Sequence, residues 1–152
     1  MRRTSQIQQE KALLIVANPG DLSPVYTSYQ VEELHSLALT AGAKIGLVCQ
    51  QNLKEIHPAT FIGKGKLEEI KEILSQTPID VVLVNQYLSP VQQRNLERHL
   101  NHRIIDRTEL ILDIFAQHAQ SKDGQIQVEL AQLRYLRPRL TGRGIDLSRL
   151  GG

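Results

Sequence analysis

The chain has 152 residues, of which 41% are hydrophobic and 22% are charged, with a formal net charge of +2. This length is enough for one ordinary domain with an appendage. No apolar run approaches the roughly 20 residues that span a bilayer, and no apolar segment follows Arg2 and Arg3 as it does in a secretory signal. We therefore expect a cytoplasmic protein without a membrane span.

The single cysteine, Cys49, lies in an apolar run. One cysteine excludes an internal disulfide and a metal cage of several thiolates. We expect its side chain to fill space in the core.

The first half of the chain alternates between strand and helix patterns. Residues 1–10 are rich in glutamine, and we expect them to be disordered. Apolar runs at residues 11–18 and 45–49 predict two strands, the first buried on both faces. Between them, apolar side chains at helical spacing predict a helix over residues 30–40.

The next segment continues this alternation. A helix is predicted after Gly63, a strand at residues 81–84, and a helix whose start at Ser89 has Pro at the first position and Gln92 at the capping-box position. Residues 103–106 predict a fourth strand, with Asp106 capping the helix that follows. Four such alternations predict a parallel α/β sheet over residues 11–106.

Residues 107–140 contain two further helical patterns, separated by a predicted turn at residues 121–124. The apolar positions of each helix recur at steps of three and four: Leu110, Ile111, Ile114 and Phe115 in the first, and Ile126, Leu130, Leu133 and Leu140 in the second. We expect these two stripes to bury each other in an antiparallel hairpin that projects from the sheet. The predicted fold class is α/β, with a small parallel-sheet subdomain followed by this two-helix hairpin.

Positive charge is concentrated at the end of the chain. Residues 134–152 carry five Arg and one Asp, a net charge of +4, while the preceding residues carry a net charge of −2. A basic segment of this kind favours a polyanion, because binding releases condensed counterions. Capping of the helix dipole could account for Arg134 and Arg137, but it does not account for the arginines beyond Pro138.

The loop at Gly63, Lys64, Gly65 and Lys66 is a candidate phosphate-binding or nucleotide-binding site. Two lysines at a helix start are unfavourable unless an anion lies near. The spacing is not that of the P-loop or of the dinucleotide-binding motif. A glycine turn with two exposed lysines is the alternative.

The sequence offers no catalytic centre and no metal site. His99 and His102 are three residues apart, but no third ligand lies near them. Residues 141–152 are rich in glycine and arginine, and they are typical of a linker.

Five blocks in this order resemble the N-terminal region of the HflX family of ribosome-associated GTPases. They are PATFIGKGKLEEI (58–70), LSPVQQRNLE (88–97), RIIDRTELILDIFAQHA (103–119), QVELAQLRYLRPRLTG (127–142) and LSRLGG (147–152). One departure is that Asn85, Gln86 and Tyr87 precede the LSP motif, where the family often has acidic residues.

The resemblance implies an α/β subdomain, a helical hairpin and a linker, followed by a GTPase domain that this chain lacks. It implies binding to the large ribosomal subunit and a part in splitting or rescuing ribosomes. GTP and Mg²⁺ are expected for the missing domain, and no cofactor is expected for this chain, which has no P-loop and is not expected to be an enzyme. The expected rRNA contacts are Arg134, Arg137, Arg139, Arg143 and Arg149, with Lys122, Asp123 and Gly124 at the hairpin tip.

Two other functions stay open on the sequence alone. The first is a nucleotide-binding domain that uses Lys64 and Lys66, and calorimetry with ATP and GTP would identify it. The second is a dimerisation module in which two hairpins pair through apolar surface. A monomer is the expected state.

Overall fold

A four-stranded parallel sheet forms the centre of the protein. The structure is a computed structural model that describes residues 7–20 and 23–140. The strands stand in the order β2-β1-β3-β4; they are β1 (Lys11–Pro19), β2 (Lys44–Leu53), β3 (Val81–Val84) and β4 (Arg103–Ile105). β1 is buried from Ala12 to Asn18, as its continuous apolar run predicts. The α/β class with a parallel sheet is confirmed.

The described residues form five helices: α1 (Pro24–Thr40), α2 (Lys64–Gln76), α3 (Pro90–Leu100), α4 (Arg107–His118) and α5 (Lys122–Leu140). The first four pack on the sheet, and α5 packs on α3 and α4. Ile70 of α2 and Leu96 of α3 belong to one core cluster. Leu34 of α1 and Leu110 of α4 belong to a second cluster with the alternate residues of the strands. The sheet therefore has a helical layer on each face, and α4 is shared between the sheet and the helical pair that it forms with α5.

Two predicted helix starts are confirmed. At α3, the Gln92 N–H donates to Ser89 Oγ over 3.1 Å, and the Ser89 N–H donates to Gln92 Oε1 over 3.0 Å. At α4, Asp106 Oδ1 accepts from the Glu109 N–H at 2.9 Å. Asp106 is thus the cap of α4, and β4 ends one residue before it.

The predicted disorder of residues 1–10 is wrong for residues 7–10, while residues 1–6 lie outside the described part. Ile7 is fully buried, and the Gln9 N–H donates to the Gly42 carbonyl at 2.8 Å. α1 also begins earlier than predicted, at Pro24, because Ser23 Oγ caps it by accepting from the Tyr26 N–H.

The predicted four-residue turn between the last two helices is shorter in the structure. Lys122 is already the first residue of α5, and Ser121 Oγ accepts from the Gly124 N–H at 2.9 Å. Lys122, Asp123 and Gly124 therefore form the first turn of α5, at the tip of the helical pair.

The expectation that the two apolar stripes bury each other is wrong. Four of their side chains are 45 to 56% exposed: Phe115, Ile126, Leu130 and Leu133. Leu110 and Ile114 point into the sheet core instead, and the buried face of α5 lies near its other end, at Leu136 and Leu140. α5 packs against both α4 and α3, so its C-terminal half is held against the two helical layers. Within the described residues, no helix is both long and apolar enough to cross a membrane.

Candidate nucleic-acid interface

The carboxylate of Asp106 is fully buried at the carboxyl end of β4. Its Oδ2 accepts from the Leu88 N–H at 3.0 Å and from the Tyr135 hydroxyl, and its Oδ1 accepts from the Glu109 N–H. A buried carboxylate is expensive unless its oxygens are bonded and its charge is balanced. The backbone supplies two of these bonds, and α5 supplies the third.

Arg139 of α5 balances this charge. Its side chain is only 2% exposed, Nη1 lies 3.7 Å from Asp106 Oδ2, and Nη1 donates to Gln93 Oε1 over 2.7 Å. Gln93 is itself buried, and its Nε2 donates to the Ile104 carbonyl at 2.7 Å. The guanidinium therefore connects α5 to both α3 and the end of β4.

Two tyrosine rings enclose the same guanidinium. Arg139 Cζ lies 4.0 Å from the ring centroid of Tyr135 and 5.2 Å from that of Tyr87. The two rings meet edge to face, with centroids 6.4 Å apart. Cation–π attraction of this kind strengthens when the cation is removed from water.

The predicted role of Arg139 as an rRNA contact is therefore corrected. A guanidinium that is buried, ion-paired and covered by two rings cannot reach a phosphate without unpacking α5. One feature of the sequence indicates this internal role of Arg139. Tyr135 and Arg139 are four residues apart, a spacing that places the ring and the guanidinium on one face of the helix. Gln93 and Tyr87 gave no such signal, because their partners are distant in sequence.

The other predicted basic contacts have different surroundings. Arg134 and Arg137 are exposed on α5, and so are Lys122 and Asp123 in its first turn. Within residues 7–20 and 23–140, no ion pair involves Arg134 or Arg137. Arg143 and Arg149 lie outside the described residues.

The Gly63 to Lys66 loop presents the start of α2. Gly63 is the cap residue and supplies no side-chain bond, so the first N–H groups of α2 are not capped by a side chain. Lys64 is exposed, but Lys66 Nζ lies 3.4 Å from Glu69 Oε1. Phe61, just before the loop, is buried at φ 66° and is held by two backbone bonds to His57. The loop therefore has one lysine exposed and one paired.

The remaining candidate groups are a thiol and possible metal ligands. Cys49 is buried as expected, and burial raises the pKa of its thiol. No group of three or more His, Cys, Asp or Glu residues in the described part of the chain could hold a metal ion.

Comparison with known proteins identifies the family. Residues 28–116 match the family model of the GTP-binding GTPase N-terminal region, and residues 118–152 match that of the GTP-binding GTPase middle region. The chain is 49% identical over 146 residues to the GTPase HflX of Caldanaerobacter subterraneus subsp. tengcongensis. It is 48% identical over 122 residues to the GTPase HflX of Escherichia coli K12. The chain belongs to the HflX family.

The chain spans about a third of the length of these HflX relatives. The alignments cover 95% and 80% of this chain but only 33% and 29% of the two relatives. Among solved structures, a GTP-binding protein from Sulfolobus solfataricus in complex with GDP matches with a TM-score of 0.66 and 27% identity. That match covers 90% of this chain and 40% of the other.

Replacing Arg139 tests whether it is structural. Arg139→Gln leaves the Asp106 carboxylate buried without its cation, so the free energy of unfolding should fall by about 3–5 kcal/mol. The matched variant Arg137→Gln, on the exposed side of α5, should change it by less than about 0.5 kcal/mol. Urea unfolding followed by circular dichroism measures both, and equal midpoints for the two variants would contradict the internal role.

Replacing Tyr135 gives a pH-dependent prediction. Burial raises the pKa of Tyr135, and its hydrogen bond to Asp106 raises it further. An unfolded tyrosine ionises near pH ~10, so above that pH the unfolded state loses a proton that the native state keeps, and stability falls.

Tyr135→Phe should lower the free energy of unfolding at neutral pH by about 1.5–3 kcal/mol, because a hydrogen bond to a charged group is lost. The stability difference between the variant and the wild type should narrow above pH ~10. The wild type loses stability there because Tyr135 ionises in its unfolded state, and the variant has no hydroxyl to ionise. Tyr29→Phe, at an exposed ring, is the control. If the stability difference between the wild type and Tyr135→Phe stays constant up to the highest pH at which the protein folds, the coupling between Tyr135 and Asp106 is refuted.

Proposed function

We propose that this chain is the N-terminal, ribosome-contacting module of an HflX-type GTPase in the cytoplasm. It binds the large ribosomal subunit through rRNA and helps to split or rescue ribosomes, acting as a binding module and not as an enzyme. GTP and Mg²⁺ belong to the GTPase domain of the full-length protein. The observation that carries this proposal is the pair of exposed arginines on α5, in a chain that belongs to the HflX family.

The different surroundings of the three α5 arginines support a nucleic-acid contact. Arg139 is committed to Asp106, whereas Arg134 and Arg137 stand one helical turn apart at the surface. Both can therefore reach adjacent phosphates without disturbing the fold. Each phosphate contact adds affinity that falls as salt rises, because counterions are released.

The tip of the helical pair is the second proposed contact. Lys122 and Asp123 are exposed, and Gly124 has no side chain to hinder close approach. We place this turn in a crevice of the large subunit, where the Lys122 ammonium meets phosphate.

The test is co-sedimentation with purified large subunits over a range of salt concentrations. Arg134→Gln/Arg137→Gln should weaken binding and reduce the slope of log K against log salt by about two. Lys71→Gln/Arg98→Gln removes the same charge from exposed positions on α2 and α3 and should leave the slope unchanged. If both double variants sediment like the wild type at every salt concentration, the assigned contacts are wrong.

A second candidate function is nucleotide binding at the Gly63 to Lys66 loop. The start of α2, with no side-chain cap, and the exposed Lys64 favour it, since a phosphate would accept from free N–H groups and offset the charge. The Lys66–Glu69 ion pair weakens the case.

Isothermal titration calorimetry with ATP and GTP tests this candidate. Binding should produce heat that Lys64→Gln reduces, because one of the cations facing the phosphate is lost, and that Lys71→Gln does not. Absence of heat from either nucleotide at millimolar concentration would exclude the site.

A further inference from the structure

The carboxyl ends of β1 and β3 form the natural ligand position of this sheet. From β1 the chain passes through α1 to β2, which lies on one side of β1. It later enters β3, which lies on the other side of β1. In open parallel sheets, ligands bind in the crevice outside the strand ends at such a point. The residues there are therefore the first to consider for a further site.

Uncharged amides lie at the carboxyl ends of β1 and β3. Asn85 Nδ2 donates to Asn18 Oδ1 at 3.0 Å and to Gln30 Oε1 at 3.2 Å. Gln86 Nε2 donates to the Ala17 carbonyl at 3.0 Å and to Asn18 Oδ1 at 3.3 Å. Asn85 Oδ1 in turn accepts from the Ala17 N–H at 2.9 Å. Asn18, Gln30, Asn85 and Gln86 carry no charge, and the groups that these bonds do not use, such as Gln30 Nε2 and Gln86 Oε1, are the ones that can bind a ligand.

Among the described residues, two buried donors near this edge have no hydrogen-bond partner. Asn18 is 99% buried, yet its Nδ2 has no hydrogen-bond partner within the described part of the chain. The same holds for Nε of the buried Arg139, beneath the Tyr87 ring. Buried donors are nearly always bonded, so an unbonded one marks a place where a ligand acceptor is favourable.

All four tyrosines of the chain lie on segments at this end of the sheet. Tyr87 follows Asn85 by two residues and is 57% exposed, although Arg139 covers part of its ring. Tyr26 is 45% exposed, one turn before Gln30 on the same face of α1. Two accessible rings therefore flank the amides.

This combination selects one class of ligand. Amides also bind phosphate and hard cations, but exposed rings add nothing to either. A flat heteroaromatic ring with donors and acceptors on its edge uses both features, since bases splayed out of single-stranded RNA stack on tyrosine and arginine planes and bond through their edges.

We propose that this edge binds an unpaired nucleobase of single-stranded RNA, stacked on Tyr87 and bounded by Tyr26, with its edge toward the Asn18, Gln30, Asn85 and Gln86 amides. The inference rests on the proposed function, because rRNA would supply the base. It adds a contact that depends on stacking to the salt-dependent contacts of Arg134 and Arg137. Asn85 and Gln86 of this chain contribute no charge to the nucleobase site.

Fluorescence anisotropy with a short dye-labelled single-stranded RNA tests the proposal. Tyr87→Ala and Tyr26→Ala should each weaken binding about 5- to 100-fold, with an unchanged salt slope, because no charge is removed. Tyr87→Phe should bind within about twofold of the wild type, because the ring that stacks is kept. This result would also show that the site tolerates loss of the hydroxyl. Phe115→Ala, at a ring 56% exposed on α4, is the matched control and should have no effect.

A competition experiment and a duplex control identify the ligand. Displacement of the RNA by millimolar AMP but not by ribose 5-phosphate supports a nucleobase, and displacement by both overturns it. The same RNA annealed into a duplex should bind Tyr87→Ala and the wild type equally.

Failure of this inference and failure of the proposed function are distinguishable. If Arg134→Gln/Arg137→Gln weakens binding to large subunits while Tyr26→Ala and Tyr87→Ala bind single-stranded RNA like the wild type, the nucleobase site is wrong and the ribosome-binding function stands. If the wild type does not bind single-stranded RNA, the nucleobase site is likewise overturned. If the arginine variants bind large subunits normally, the proposed contacts fail independently.

Discussion

The buried carboxylate of Asp106 is the interaction on which the packing of the last helix depends. Fully removed from solvent, it needs donors on both oxygens and a cation nearby. The backbone at Leu88 and Glu109 meets part of this need, and Tyr135 and Arg139 of α5 meet the rest. The end of β4 and the C-terminal half of α5 are therefore energetically coupled, although more than 25 residues separate them in sequence.

This coupling determines which cations are available to a partner. Arg134, Arg137 and Arg139 lie within six residues on one helix, yet only Arg139 faces Asp106. Its sequestration keeps the helix in place, whereas the other two are exposed and take part in no ion pair with the described residues. The proposed rRNA surface is therefore smaller than the basic composition of this segment suggests.

The sequence predicted features that depend on local spacing. The strands, the Ser89 capping box and the Asp106 cap follow from residues a few positions apart, and the structure confirms them. The sequence did not predict which face of α5 is buried. Ile126, Leu130 and Leu133 repeat like a core stripe but are exposed, and the buried end of α5 pairs with a carboxylate at a distant strand end. A periodic pattern does not encode that partner. The bond between Asn18 and Asn85 could not be predicted for the same reason, since a bond across 67 positions leaves no local signal.

Native-state hydrogen exchange of the α5 amides tests the coupling most directly. If Asp106 anchors the helix, the Leu136 and Leu140 amides should open with a free energy close to that of Val16 in β1, while amides in the exposed first turns of α5 exchange at lower free energy. Uniformly low protection along α5, with Leu136 and Leu140 exchanging as readily as Ile126, would contradict the account.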